Sequence, residues 1–136
     1  MSYGVSLALQ VAVYDALRGD AALGALIGDA VYDAQPGGVL PEVYVQIGEE
    51  VVRDASDGSG AGSWHRFTVT VVCSAAGFGA AKTAAGLVSE ALHDAALNLS
   101  RGRLVSLVFE RARAARIEAG GARRIDLRFR ARIEDG

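Results

Sequence analysis

The chain has 136 residues, of which 51% are hydrophobic and 22% are charged, and its formal net charge is −2. A chain of this length buries about two-thirds of its unfolded surface, so it needs no disulfide or metal to fold. A single cysteine excludes an internal disulfide, and two histidines cannot complete a Cys/His zinc site. No apolar run approaches the ~18 residues that span a bilayer, and no signal peptide is recognisable. Composition therefore predicts one domain over residues 1–136, made in a cytoplasm and without a membrane segment.

The N-terminal part predicts helix. Apolar residues recur at helical spacing from Val5 to Leu17. Ser2 or Ser6 is the expected N-cap and Gly19 the expected end. A second short helix is expected in AALGALIG, and AVYDA after it is a short strand candidate.

The middle of the chain predicts two strands separated by a loop. In EVYVQIGEEVV the side chains alternate, as they do in WHRFTVTVVCS, where Cys73 is expected to face the core. Between them, DASDGSGAGS is rich in Gly, Ser and Asp and is expected to be a flexible loop over Asp54–Ser63.

The last part predicts a helix and a long hairpin. Ser74 is the expected cap of a helix that runs to about Ala95 with one apolar stripe. RLVSLVFERARAARI and RRIDLRFRARIED then predict two strands joined at Gly120–Gly121, a typical hairpin turn. The fold class that follows is α+β, with a mixed, mostly antiparallel sheet, two main helices packed on one face and a long C-terminal β-hairpin.

Sites for catalysis or cofactors are not indicated. GFGAAKT lacks the glycines of a phosphate-binding loop, because Ala81 and Ala76 stand where glycines are required. No serine has the setting of a nucleophile elbow, and the pair Glu49–Glu50 is expected to be solvated or paired with arginines. We therefore expect no enzyme, no catalytic residue, no metal and no cofactor.

The distribution of charge is the strongest signal. Residues 1–100 hold 4 basic and 11 acidic side chains, a charge of −7, whereas residues 101–136 hold 10 basic and 5 acidic, a charge of +5. Arginine is favoured where planar pairing with carboxylates occurs at interfaces, and a bipolar chain can pair with a rotated copy of itself. The expected subunit or partner interface comprises Arg111, Arg113, Arg116, Arg124, Arg128, Arg130, Arg132, Glu49 and Glu50. The expected docking loop comprises Asp54, Ser56, Asp57, Gly58, Ser59, Gly60, Gly62 and Ser63.

The succession of blocks resembles a known family over essentially the whole chain. SYGVSLALQVAVYDALRGDAALGALIG, VYDAQPGGVLPEVYVQIGEEVVRDASDGSGAG, WHRFTVTVVCSAAGFGAAKTAAGLVSEALHDA and RGRLVSLVFERARA are similar to tail completion, or tail terminator, proteins of long-tailed phages. The likeness is closest to the version encoded by bacterial gene transfer agents, and it rests on no short motif.

The resemblance implies a structural, virion-like protein. It implies a homo-hexameric ring on the head-proximal end of the tail tube, which ends tube polymerisation and joins the tail to head connector proteins. The expected partners are therefore copies of itself, the tail tube protein and connector proteins, with DNA passing through the lumen without specific binding. The alternative is a small nucleic-acid-binding module that uses the arginine-rich strand face, although no aromatic residues are seen interleaved with those arginines.

Overall fold

The computed structural model describes residues 3–34, 36–58, 60–117 and 121–135. Within these ranges the chain forms three α-helices, a short 3-10 turn at Ala75–Gly77 and five strands. The elements in chain order are α1 (Ser6–Arg18), α2 (Ala21–Ile27), β1 (Val31–Tyr32), β2 (Val43–Asp54), β3 (Gly62–Cys73), α3 (Phe78–Leu92), β4 (Arg103–Arg116) and β5 (Arg123–Glu134).

The strands form one sheet in the order β1-β2-β3-β5-β4. Only β1 and β2 are parallel, and all other neighbours are antiparallel. The predicted α+β class, the mostly antiparallel sheet and the C-terminal hairpin are confirmed. β4 and β5 match the two predicted strands to within one or two residues at each end.

The helices cover one face of the sheet, which we call the inner face. Its core joins α1 and α3 to alternating residues of the three central strands. Phe129 on β5 is fully buried, and its ring lies 5.5 Å from that of Phe67 and 5.7 Å from that of Phe109. Cys73 is also buried, as the alternation predicted.

Three β-bulges or irregularities shift the alternation. One lies between Ile47 and Glu50 on β2, and two lie on β4, between Leu104 and Ser106 and between Phe109 and Arg111. A bulge places two residues against one on the partner strand, so the side chains beyond it change face. Glu50 consequently lies across from Phe67 and points to the inner face, whereas Arg111 lies across from Arg128 on the other face.

Several predicted helix caps are wrong. α1 begins after Val5 without a side-chain cap, and the hydroxyl of Ser6 instead donates to Glu50. Ser74 makes no capping hydrogen bond, and a 3-10 turn separates it from α3. Ser2 lies outside the described residues, whereas Gly19 does end α1.

The segment predicted as a loop over Asp54–Ser63 is shorter than expected. Asp54 ends β2, and Gly62 and Ser63 begin β3, so the connection spans residues 55–61. At the second hairpin, the amide of Ile117 donates to the carbonyl of Ala122, at the ends of the connection between β4 and β5. Gly120 lies outside the described residues, and Gly121 has a φ of 87°.

No helix in the described part of the chain is both long and apolar enough to cross a membrane.

Candidate partner-binding surface

The face of the sheet opposite the helices, here called the open face, carries a dense group of arginines. The register of the four long strands places these side chains in adjacent rows. The arginines of the open face are Arg53, Arg66, Arg103, Arg111, Arg113, Arg124, Arg128, Arg130 and Arg132. Two pairs, Arg66–Arg130 and Arg111–Arg128, are direct cross-strand neighbours. Like charges in that position destabilise an isolated sheet.

At one end of the open face the arginines are held by contacts within the chain. Trp64 lies there, with the guanidinium carbons of Arg130 and Arg132 at 5.0 and 5.3 Å from its ring centroid. Arg132 also donates to the carbonyl of Ala55, and Arg66 pairs with Glu110 at 3.2 Å. These arginines are half-buried or stacked, so they contribute to the stability of the sheet itself.

The position of Trp64 on the open face was not predicted from the sequence. An aromatic side chain does stand among the arginines, because Trp64 pairs with Arg132 and Arg53 in register. The alternation of WHRFTVTVVCS contains that signal, since Trp64 and Arg66 are two residues apart and share a face. Phe109 and Phe129, in contrast, lie on the inner face as predicted.

At the other end the open face forms a groove of about 990 Å³. One wall carries Arg111, Arg113 and Arg128, and none of the ion pairs among the described residues involves these three. The opposite wall comprises residues 40–42 and β2, and includes Glu42 and Glu49. The groove is therefore polarised, with a basic side towards β4 and an acidic side towards β2.

Arg124 belongs to the same groove but has a partner. Its Nη2 and Nε lie 2.9 and 3.1 Å from Oδ1 of Asp126. The same oxygen accepts a hydrogen bond of 2.8 Å from the Thr70 hydroxyl. Arg116, by contrast, lies across from Arg123 on the inner side of the hairpin, away from the open face.

Glu50 is separated from the other predicted interface residues. Its carboxylate accepts hydrogen bonds of 2.7 Å from Tyr3 and Ser6 and lies 3.2 Å from Nδ1 of His65. Partial burial raises the pKa of Glu50, but the hydrogen bonds from Ser6, Tyr3 and His65 outweigh this, so the pKa lies below its ordinary value. Glu50 thus joins α1 to the sheet, whereas its sequence neighbour Glu49 is exposed in the groove.

Ser63, His65 and Glu50, here called the Glu50 cluster, are linked in the order of a catalytic triad, but the serine and the histidine are not accessible to a substrate. Ser63 Oγ lies 2.8 Å from Nε2 of His65, whose other nitrogen faces Glu50. Ser63 and His65 are only 3% and 0% exposed, so no substrate carbonyl can reach the hydroxyl. Elsewhere in the described ranges, no group of three His, Cys, Asp or Glu side chains is placed to hold a metal ion.

The β2–β3 connection, predicted as a docking loop, is a structured turn at the end of the sheet. Ser56 donates from its amide and hydroxyl to Asp54, at 3.2 and 2.7 Å, and the amide of Gly62 donates back to the Ser56 hydroxyl at 3.2 Å. The hydrogen bond from the Ser56 side chain lowers the pKa of Asp54. Asp57 and Gly60 form a bridge beyond it, and Ser59 lies outside the described residues.

The helix side of the molecule has the opposite charge to the open face. The segments 6–34 and 78–94 carry six acidic and two basic side chains. These are Asp15, Asp20, Asp29, Asp33, Glu90 and Asp94, against Arg18 and Lys82. Folding therefore converts the separation of charge along the sequence into a separation between two layers.

Comparison with known proteins identifies the family. The family model described as tail completion protein gp17 matches residues 11–134. A solved structure described as the virion of the native gene transfer agent (GTA) particle contains a similar chain, with 59% sequence identity and a TM-score of 0.92, covering 98% of this chain and 99% of that one. No curated protein sequence matches. The resemblance drawn from the sequence is confirmed: the chain belongs to the tail completion protein gp17 family, whose members are structural proteins of phage tails.

Proposed function

We propose that this chain closes the head-proximal end of the tail tube of a phage-like particle, such as a gene transfer agent, as a ring of copies of itself. The ring ends tube polymerisation and provides the surface to which head connector proteins attach. Family membership over residues 11–134 and the likeness to a chain of a virion support this role. Six copies are the number that the family resemblance implies. DNA passes through the lumen without specific binding, and the protein has no catalytic role.

The separation of charge between the two layers is the structural observation that supports a ring. When complementary surfaces lie on different sides of one molecule, each copy can bind the next head to tail, and such contacts form a ring when the rotation between copies closes. Here the open face is basic and the helix side is acidic. Arginines can pair with carboxylates through two parallel hydrogen bonds, which fixes the orientation of the contact.

The proposed contacts follow from the position of the residues. Arg128 and Arg130 lie near the centre of the open face and would meet acidic side chains of a neighbouring copy, the tube or a connector. Glu49 supplies a carboxylate on the acidic wall of the groove. The connection between β2 and β3 exposes Ser56, Asp57 and Gly58 and offers a second contact.

The ring is tested by measuring mass. Mass photometry or sedimentation of the chain, alone and mixed with tail tube protein, should show a closed oligomer in at least the mixture. Arg128→Glu with Arg130→Glu should reduce assembly, whereas Arg18→Glu with Lys82→Glu, an equal charge change on the helix side, should not. Monomers alone in both samples of the unmodified chain would contradict the proposal.

The remaining candidate is a nucleic-acid-binding module, which the position of Trp64 among arginines favours. The indole ring of Trp64 is, however, already contacted by Arg130 and Arg132. Binding through phosphates predicts an affinity that falls steeply with salt and is lost on Arg128→Glu. Absence of DNA binding at low salt would exclude this candidate without affecting the ring.

A further inference from the structure

The outer edge of β4 is only partly covered. The amide of Asp94 donates to the carbonyl of Leu107 at 2.8 Å, and the amide of Phe109 donates to Nδ1 of His93 at 3.0 Å. From Glu110 to Arg116 no described residue makes a backbone hydrogen bond to this edge. Along this stretch of seven residues, alternate residues direct their backbone donors and acceptors away from β5 to the surroundings, and such an edge is a template for another strand.

The side chains along this free edge alternate between two kinds. Arg111 and Arg113 lie on the open face, across from Arg128 and Asp126, and both are exposed. Ala112 and Ala114 lie on the inner side and are also exposed, because the helices do not extend over this part of β4. A strand added here would place alternate residues about 5 Å from the arginines and the others beside the alanines.

The charges of Arg111 and Arg113 determine which kind of strand can pair with this edge. Residues two apart in a strand lie about 6.7 Å from each other on one face, so two carboxylates at that spacing can each face one arginine. Neither Arg111 nor Arg113 has an ion pair among the described residues. A second β4 would bring arginines against these arginines, and like charges directly opposite destabilise the pair.

The chain itself cannot supply the complementary strand. Its 16 acidic residues include no two that are separated by a single residue. On β2, whose edge beyond β1 is also free, the only close acidic residues are the adjacent Glu49 and Glu50, and the bulge turns Glu50 inward. A nucleic acid does not provide the amide and carbonyl groups that continue a β-ladder.

We propose that the edge of β4 from Glu110 to Arg116 binds an extended segment of another protein, in which acidic and apolar residues alternate. The acidic residues pair with Arg111 and Arg113, and the apolar residues cover Ala112 and Ala114. The added strand extends the sheet by main-chain hydrogen bonds, which give affinity, while the alternation gives specificity. This assignment adds a partner site to the proposed function and does not depend on ring formation.

A blocked heptapeptide that alternates valine and glutamate is the probe. Titrated into the chain at a concentration where the chain is monomeric, it should slow amide hydrogen exchange within residues 110–116. The double variant Arg111→Glu and Arg113→Glu should bind it at least about tenfold more weakly, since two attractive cross-strand pairs become repulsive. The same peptide with lysine in place of glutamate should bind the double glutamate variant more tightly than it binds the unmodified chain. The milder Arg111→Gln and Arg113→Gln variant should give an intermediate affinity.

The control is Arg18→Glu with Lys82→Glu, an equal change in net charge on the helix side and away from this edge, which should bind the glutamate peptide like the unmodified chain. Equal affinity of the unmodified chain for the glutamate and lysine peptides would overturn the proposal, as would protection outside residues 110–116. Protection of these amides without peptide, increasing with protein concentration, would assign the edge to a second copy instead. A failure of the ring test leaves all of these outcomes unchanged.

Discussion

Replacing Glu50 with alanine should cost stability, whereas the same change at Glu49 should not. The structure separates the two neighbours by a β-bulge, so that one carboxylate is half-buried and hydrogen-bonded and the other is exposed. After Glu50→Ala, the hydroxyl of Ser6 and the imidazole of His65, which are 6% and 0% exposed, lose the acceptor that they share.

The magnitude follows from the groups left without a partner. An unsatisfied buried donor costs about 1–3 kcal/mol. Tyr3 is 63% exposed and can turn to water, so its hydrogen bond adds little. Two buried donors therefore give an expected loss of about 2–6 kcal/mol for Glu50→Ala, against less than about 0.5 kcal/mol for Glu49→Ala at the surface.

Urea unfolding followed by the fluorescence of Trp64, the single tryptophan, measures both variants. The pKa of Glu50 in the folded chain lies below the ordinary value of 4.5. Its contribution is therefore complete at pH 7 and is lost as the pH falls below about 4.5 through the folded pKa. The difference between the unmodified chain and Glu50→Ala should shrink over that range. Equal stabilities of the two variants at pH 7, or a difference that does not change with pH, would refute this account of the cluster.

Two further predictions concern packing and backbone conformation. Gly121→Ala should destabilise the chain by about 1–3 kcal/mol, because its φ is 87° and the new Cβ would lie 2.9 Å from that of Ala75. Gly86→Ala should instead stabilise it by up to about 1 kcal/mol, since this exposed position on α3 has nothing within 4 Å of the added carbon; thermal unfolding of the two variants should shift in opposite directions. Phe129→Ala removes a fully buried ring stacked on that of Phe67 and should cost about 3–5 kcal/mol by urea unfolding, and a loss below about 1 kcal/mol would mean that this part of the core repacks.

The elements with a strong side-chain period could be predicted from the sequence. β5 is the clearest case, because Ile125, Leu127 and Phe129 alternate with charged residues over the whole strand, and a sheet with one covered face requires that pattern. α1 was similarly predictable from its apolar spacing. Its cap was not, because the hydroxyl of Ser6 is used by a residue 44 positions away.

The candidate site was predictable as a composition but not as a geometry. The arginine-rich end and its strand alternation placed Arg128 and Arg130 on one face, as the structure shows. The positions of Glu50 and Arg116 on the inner side of the sheet could not be predicted, because they depend on the register between strands. The bulge on β2 coincides with Gly48, and a glycine within a strand pattern is a signal of a bulge. The irregularities on β4 have no such signal, since Val105 and Glu110 stand at the extra positions.

The sequence by itself determined the fold class, the covered and open faces of β3 and β5 and the opposite charges of the two parts of the chain. These follow from local periodicity, because a strand with one buried face must alternate. Only the tertiary structure decided which arginines contact Trp64, which arginines at the edge of β4 have no ion pair within the described part of the chain, and which carboxylate is turned inward. The order of strands, the bulges and the extent of the helices set these outcomes, and they depend on contacts between residues far apart in the chain.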